Sequence, residues 1–130
     1  MRKPLRGFKD IIFIEGNNFQ KIINLAYQTA QNYGYQIGHF PILESTDLFA
    51  RTLGDSSDIV TKEMYSFKDR NDESVTMRPE FTAIIARSVI SNSLYHQLPF
   101  KIFSYGPLFR YERPQKGRFR QFHQLNFENL

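Results

Sequence analysis

From Asn17 to Tyr33 the apolar residues Phe19, Ile22, Ile23, Ala26 and Ala30 recur at intervals of three and four, which predicts an amphipathic helix. Gly34 follows and suits the helix end, because glycine adopts the left-handed conformation that closes a helix. Ile37–Leu43 reads as a strand interrupted by Pro41, hence an edge strand or a bulge. Ser45, Thr46 and Asp47 are N-cap candidates for a short helix through Leu53, with a loop over Gly54–Asp58. Met64–Phe67 and Val75–Met77 read as a hairpin around the polar turn Asp69–Glu73. Pro79 then opens a helix that carries Ile84, Ile85, Val89 and Ile90 on adjacent turns.

The last alternating segment carries most of the chemical information. Residues 103–128 read as two strands joined by a loop, Pro114–Gly117, that can continue neither of them. In the first, Phe109 and Tyr111 alternate with Arg110 and Glu112; in the second, Leu125 and Phe127 alternate with Gln124, Asn126 and Glu128. Successive strand side chains point to opposite faces. Each strand therefore presents an apolar odd-numbered face and a polar even-numbered one, and Arg, Glu and Gln gathered on one face point to a floor that binds something charged. Strands that follow one another through hairpins predict an α+β fold, an antiparallel sheet flanked by helices.

Charge sharpens this picture. The 130 residues hold 17 Lys and Arg against 13 Asp and Glu, a net charge of +4. Residues 1–100 are balanced, so the whole excess resides in the last thirty, where Arg110, Arg113, Lys116, Arg118 and Arg120 are interleaved with Phe109, Tyr111, Phe119 and Phe122. Arginine is the better bidentate phosphate ligand and aromatic rings stack on bases. The interleaving therefore favours phosphate or nucleotide binding over a merely solvated basic hairpin.

Composition removes other classes. Hydrophobic residues make up 41% and aromatics 15% of the chain, as in globular domains. There is no cysteine, which excludes disulfides and thiolate-ligated metal. His39, His96 and His123 have no metal-ligand spacing and read as structural or surface residues. No apolar run reaches membrane-spanning length, and Met1-Arg-Lys-Pro lacks the apolar core of a signal peptide; the expectation is a cytoplasmic protein.

Phe109-Arg-Tyr-Glu-Arg113 followed by Gly117-Arg-Phe-Arg-Gln-Phe-His-Gln124 resembles motif 2 of the class II aminoacyl-tRNA synthetases. The intervening Pro114-Gln115-Lys116 is similar to the form found in the bacterial histidyl-tRNA synthetases. Arg6-Gly7-x-x-Asp10 looks like that family's start, and Tyr33-Gly34-Tyr35 leading to Pro41-Ile42-Leu43-Glu44 looks like motif 1. Lys62–Tyr65 and Arg78-Pro-Glu-Phe-Thr-Ala83 are similar to its amino-acid-binding segment. Four segments in order cover nearly the whole chain.

The resemblance implies a class II catalytic core and the activation of L-histidine by ATP with Mg²⁺, followed by transfer to tRNA(His). Arg110 would be the catalytic contact to the α-phosphate and would share the histidine site with Glu80, Thr82, Gln124 and Glu128. ATP would be held by Arg110, Glu112, Arg118 and Phe122, with the Phe122 ring stacked on adenine. Arg113 and Gln115 match tRNA-reading positions, no residue is implied as a metal ligand, and Tyr27–Leu43 would form a homodimer interface. Two departures stand out: Phe81 replaces a small residue, so contact there would have to come from backbone, and Asn126-Phe127 replaces a smaller pair. A second phosphate arginine, motif 3 and an anticodon-binding domain do not occur within residues 1–130. The expectation is the N-terminal part of a synthetase catalytic domain, inactive as a fragment. Two alternatives are a synthetase-like regulatory subunit of ATP phosphoribosyltransferase, against which the intact loop Arg113–Gly117 argues, and a non-enzymatic basic RNA-binding domain.

Overall fold

Helix α1, Phe13–Asn32, begins four residues before the apolar periodicity and ends as that periodicity predicts. Gly34 stands at φ +80°; its N–H reaches the Gln31 carbonyl and the Tyr35 N–H reaches that of Ala30, the paired closure that a left-handed residue permits. The computed structural model describes residues 1–130. Ile23 and Ala30 are buried on the inner face of α1, with Phe19 and Ala26 half-buried beside them, whereas Ile22 faces outward.

The single strand expected over Ile37–Leu43 is two strands. Strand β1, Gln36–Ile37, runs parallel to the later strand β5, Lys101–Phe109, and β2, Leu43–Ser45, joins a separate sheet. Pro41, with no N–H to donate, lies between them. Helix α2, Thr46–Leu53, follows at the expected place, although none of its N-cap candidates makes a side-chain cap. A five-residue π turn over Ile59–Glu63 had no signal in the apolar pattern. Strands β3, Tyr65–Lys68, and β4, Ser74–Met77, form the expected hairpin. Its turn is held by the Asp69 carboxylate, which accepts from the Asn71 and Glu73 N–H groups at 2.8 and 3.0 Å. The sheet order is β2-β4-β3, antiparallel throughout.

Helix α3, Thr82–Ser91, starts three residues after Pro79. It buries Ala83, Ile84, Ile85 and Val89, while Ile90 is exposed. Strand β5 then pairs antiparallel with β6, Gln121–Asn129, in a sheet of order β1-β5-β6. The architecture is thus α+β, with one parallel pairing, at β1, in otherwise antiparallel sheets.

The odd and even faces of the β5-β6 pair receive different helices. On the odd face α1 sets Phe19 edge-on to His123 at 4.7 Å and Tyr27 over Phe103 at 6.3 Å. On the even face Phe81 and Ile85, from the start of α3, pack with Leu108 in a fully buried cluster bordered by Ile102 and Phe122. Phe49 of α2 packs with Ala83 and Ile84 on the other side of α3. Burying side chains of this size supplies about 1.5–3 kcal/mol each, so α3 is held between α2 on one side and the β5-β6 sheet on the other. The Glu44 carboxylate of β2, almost fully buried, pairs with Arg87 of α3 and fixes that helix relative to the second sheet.

Candidate functional site

The expected polar floor lies along the even face of β6. In register order Glu128 stands opposite Ile102, Asn126 opposite Ser104, Gln124 opposite Gly106 and Phe122 opposite Leu108. At about 3.3 Å per residue, Phe122 to Glu128 spans about 20 Å, long enough for a nucleotide and an amino acid end to end. The odd-numbered β6 residues are the more exposed set: Leu125 and Phe127 retain 38% and 45% of their surface. The apolar parity therefore does not mark the more deeply buried face. Its partners come from α1 and Tyr35, whose ring meets Phe127 at 5.4 Å.

Strand β5 ends at Phe109, earlier than the alternation predicts. Arg110 still donates its N–H to the Arg120 carbonyl at 2.9 Å, which keeps it in line with the floor. Tyr111 and Glu112 lie beyond the strand. Tyr111 does not face the core; it is 52% exposed and lies under the Arg120 guanidinium, 3.8 Å from its ring centre. The reason is competition from a local clamp. The Tyr111 N–H is captured by the Glu63 carbonyl, and the Gly7 carbonyl accepts both the Arg120 and Gln121 N–H groups. Tyr65 meets the Tyr111 ring at 5.7 Å and Phe8 meets Tyr65 at 6.3 Å. Burial raises the Tyr65 phenol above its ordinary pKa, against the opposing pull of the Arg120 cation. Arg6-Gly7 was the only signal of this clamp in the sequence: a Cβ at Gly7 would fall 2.6 Å from the Arg120 side chain, so the close approach requires glycine.

Four of the expected site residues meet at the start of α3. Glu80 accepts the Ala83 N–H at 3.0 Å through Oε1, capping the helix as an acid at its N-terminus should. Thr82 donates its hydroxyl to Glu128 across the gap between α3 and β6. Arg110 donates Nε–H to the carbonyl of Pro79 at 2.9 Å, one residue before Glu80. The Arg110 guanidinium also lies 5.4 Å from the centre of the Phe122 ring, and no carboxylate pairs with it. Gln124 projects from the same face between Phe122 and Glu128. Phe81 turns inward and is fully buried, which accommodates its size.

The loop residues form a second group. Gln115 and Arg118 exchange backbone bonds of 3.3 and 2.9 Å around Lys116-Gly117, with Gly117 at φ +77°. Arg113, Gln115, Lys116 and Arg118 are exposed. Glu112, half-buried at the base, pairs with Arg118 at 3.1 Å, so two residues expected to meet ATP separately hold each other. No group of three His, Asp or Glu side chains is arranged to hold a metal ion. An apolar groove of about 490 Å³ between α1 and β5-β6, lined by Phe19, Ile23, Tyr105 and Leu125, opens on the opposite face and carries no charged group.

The floor thus gathers Arg110, free of carboxylates, with Glu80, Glu128, Gln124 and Asn126, beside the basic loop. The family model for the tRNA synthetase class II core domain (G, H, P, S and T) matches residues 65–129. The chain is 55% identical to a histidine--tRNA ligase of Rickettsia bellii over 128 residues, 98% of this chain and 31% of the relative. It is 56% identical to the histidine--tRNA ligase of Wolbachia pipientis wMel over 126 residues, 97% of this chain and 30% of the relative. The crystal structure of apo S. aureus histidyl-tRNA synthetase superposes with a TM-score of 0.80 at 36% identity, over 98% of this chain and 32% of that one. The chain thus spans about a third of the length of the relatives it matches.

Proposed function

The chain belongs to the class II tRNA synthetase core family, and on that premise we propose that residues 1–130 are the N-terminal part of the catalytic domain of a histidine--tRNA ligase. The activity is activation of L-histidine by ATP, then transfer to tRNA(His). In the first step a histidine carboxylate oxygen bonds to the α-phosphorus of ATP and the bond to pyrophosphate breaks. Negative charge builds on the α-phosphate oxygens, where a fixed cation lowers the barrier most. Arg110 is that cation: it is free of carboxylates, held at Nε by the Pro79 carbonyl, and free to direct its remaining N–H groups at phosphate.

The observation that carries this reading is the convergence of Arg110, Glu80, Thr82 and Glu128 around the start of α3. Glu80, with one oxygen spent on the helix cap, turns the other toward the histidine ammonium, assisted by Gln124. Glu128, steadied by Thr82, accepts an imidazole N–H; a substrate without that donor would leave the carboxylate unpaired, which is the basis of discrimination. Arg118 holds the distal phosphates from the loop, Glu112 anchors it, and Phe122 stacks on adenine. Mg²⁺ enters as the counter-ion of ATP. Arg113 and Gln115, exposed at the loop, read the tRNA acceptor end.

Assembly is a homodimer through Tyr27–Leu43. Leu25, Tyr33, Ile37 and Ile42 lie exposed in and beside this segment, an apolar surface of the kind that self-complementary interfaces cover. No helix is long and apolar enough to cross a membrane, in keeping with a cytoplasmic site of action. The regulatory-subunit reading lacks a comparable observation, because the chain retains Arg110 and the basic loop and its relatives at 55–56% identity are ligases.

Histidine-dependent exchange of pyrophosphate into ATP, measured on the full-length protein, tests the reading. Exchange with histidine and with no other amino acid is expected. Salt-sensitive RNA binding without exchange would overturn it in favour of a non-enzymatic RNA-binding domain.

A further inference from the structure

Arg78 is a cation with only 4% of its surface exposed and no carboxylate partner. Its acceptors are backbone carbonyls from distant segments. Nε–H donates to Pro107 of β5 at 2.9 Å and Nη1 to Phe40 at 2.8 Å, with Pro41 at 3.5 Å. The Phe81 ring lies 4.7 Å from the guanidinium carbon. Burial without a counter-charge holds the guanidinium below the usual arginine range. Such burial is costly, and an apolar side chain of similar volume would fill the space without that cost. Packing alone does not account for an arginine here.

The backbone around Arg78 is pinned as tightly as its side chain. Its N–H donates to Ile42 at 2.9 Å and its carbonyl accepts from Phe109 at 3.0 Å. The next carbonyl, Pro79, receives Arg110 Nε, and the next residue is Glu80. Opposite stands Gly106, at φ +152° in the middle of β5; a Cβ there would fall 2.5 Å from Arg78 Nη2. Strand-interior glycine weakens a strand and marks a close approach, here the approach of the guanidinium.

We propose that Arg78, accommodated by Gly106, is a positioning residue that locks the segment preceding β2, strand β5 and the turn before α3 into one frame and so sets Arg110 and Glu80 in register. The inference rests on the proposed function for its kinetic consequence and on geometry alone for its structural one. The planar fork is essential: lysine keeps the charge but donates from one point and cannot bridge Pro107 and Phe40 together.

The test uses full-length enzyme carrying Arg78→Lys, Gly106→Ala or both, with active sites counted by titration so that unfolded protein does not enter the rates. Arg78→Lys should lower the exchange kcat by on the order of 10²-fold, the scale expected of an approximately 1 Å misplacement, and raise the KM for histidine several-fold. Gly106→Ala should reproduce the defect, and the double variant should be no worse than the poorer single one. The strain of alanine at φ +152° is present in both backgrounds and cancels in the cycle. If Arg78→Lys lowers only the thermal midpoint while kcat and KM per active site stay within about twofold, Arg78 is a brace for the fold and the proposal fails. Should the wild type show no histidine-dependent exchange, the functional reading fails separately. A crystal structure of the Arg78→Lys variant then decides this inference: Arg110 Nε leaving the Pro79 carbonyl supports it, and an unmoved Arg110 overturns it.

Discussion

Thr82, the first residue of α3, donates its hydroxyl to Glu128 near the end of β6, joining two positions 46 residues apart. A hydrogen bond to a charged acceptor contributes about 1.5–3 kcal/mol, so this contact fixes the carboxylate proposed to receive the imidazole. Thr82→Val, which keeps the shape and removes the donor, should raise the KM for histidine about tenfold with the ATP KM unchanged. Glu128→Ala should weaken histidine more, because the carboxylate itself is lost. Equal effects on both substrates would place Glu128 outside the amino acid pocket.

Arg110 makes its proposed contribution as charge develops on the α-phosphate oxygens. Arg110→Ala should cut the exchange rate by on the order of 10²–10³, with little change in histidine binding measured at equilibrium. Arg110→Lys should recover little, since a point charge cannot hold the Pro79 carbonyl and a phosphate with one rigid plane. A large loss of ground-state histidine affinity with kcat intact would reassign Arg110 to simple binding.

The pair Glu112–Arg118, at 3.1 Å, sits at the base of the loop with Arg118 exposed. Such exposed pairs contribute little to stability, so the expected consequence is positional. Glu112→Gln should raise the KM for ATP several-fold while leaving thermal stability within about 0.5 kcal/mol of wild type. An unchanged ATP KM would show that Arg118 needs no anchor.

Gln115 is exposed at the loop turn, away from the floor residues that contact one another. Gln115→Ala should lower the rate of tRNA charging while leaving pyrophosphate exchange within about twofold of wild type. Parallel loss in both assays would transfer the loop to ATP and favour Lys116 as a phosphate ligand.

The sequence by itself determined those features that depend on near neighbours. Alternation along Gln121–Asn129 put Phe122, Gln124 and Glu128 on one face, because side-chain direction in a strand follows parity alone. Gly34 ended α1 because only the left-handed conformation closes that helix, and the Asp69–Glu73 turn needed no partner beyond its own carboxylate. The motif resemblance supplied the family. Tertiary structure decided the rest. Parity could not tell which face would be covered more deeply, since both faces carry aromatics and the covering helices α1 and α3 lie outside the strands' own sequence. The end of β5 at Phe109 depended on Glu63 capturing the Tyr111 N–H and on Gly7 meeting Arg120. Glu112 and Arg118 proved to be partners only once the loop closed. Arg78 and Gly106 lie 28 residues apart in the sequence. Neither local propensity nor spacing signals that one fills the space the other leaves, because that fit exists only after β5 has packed against the turn before α3.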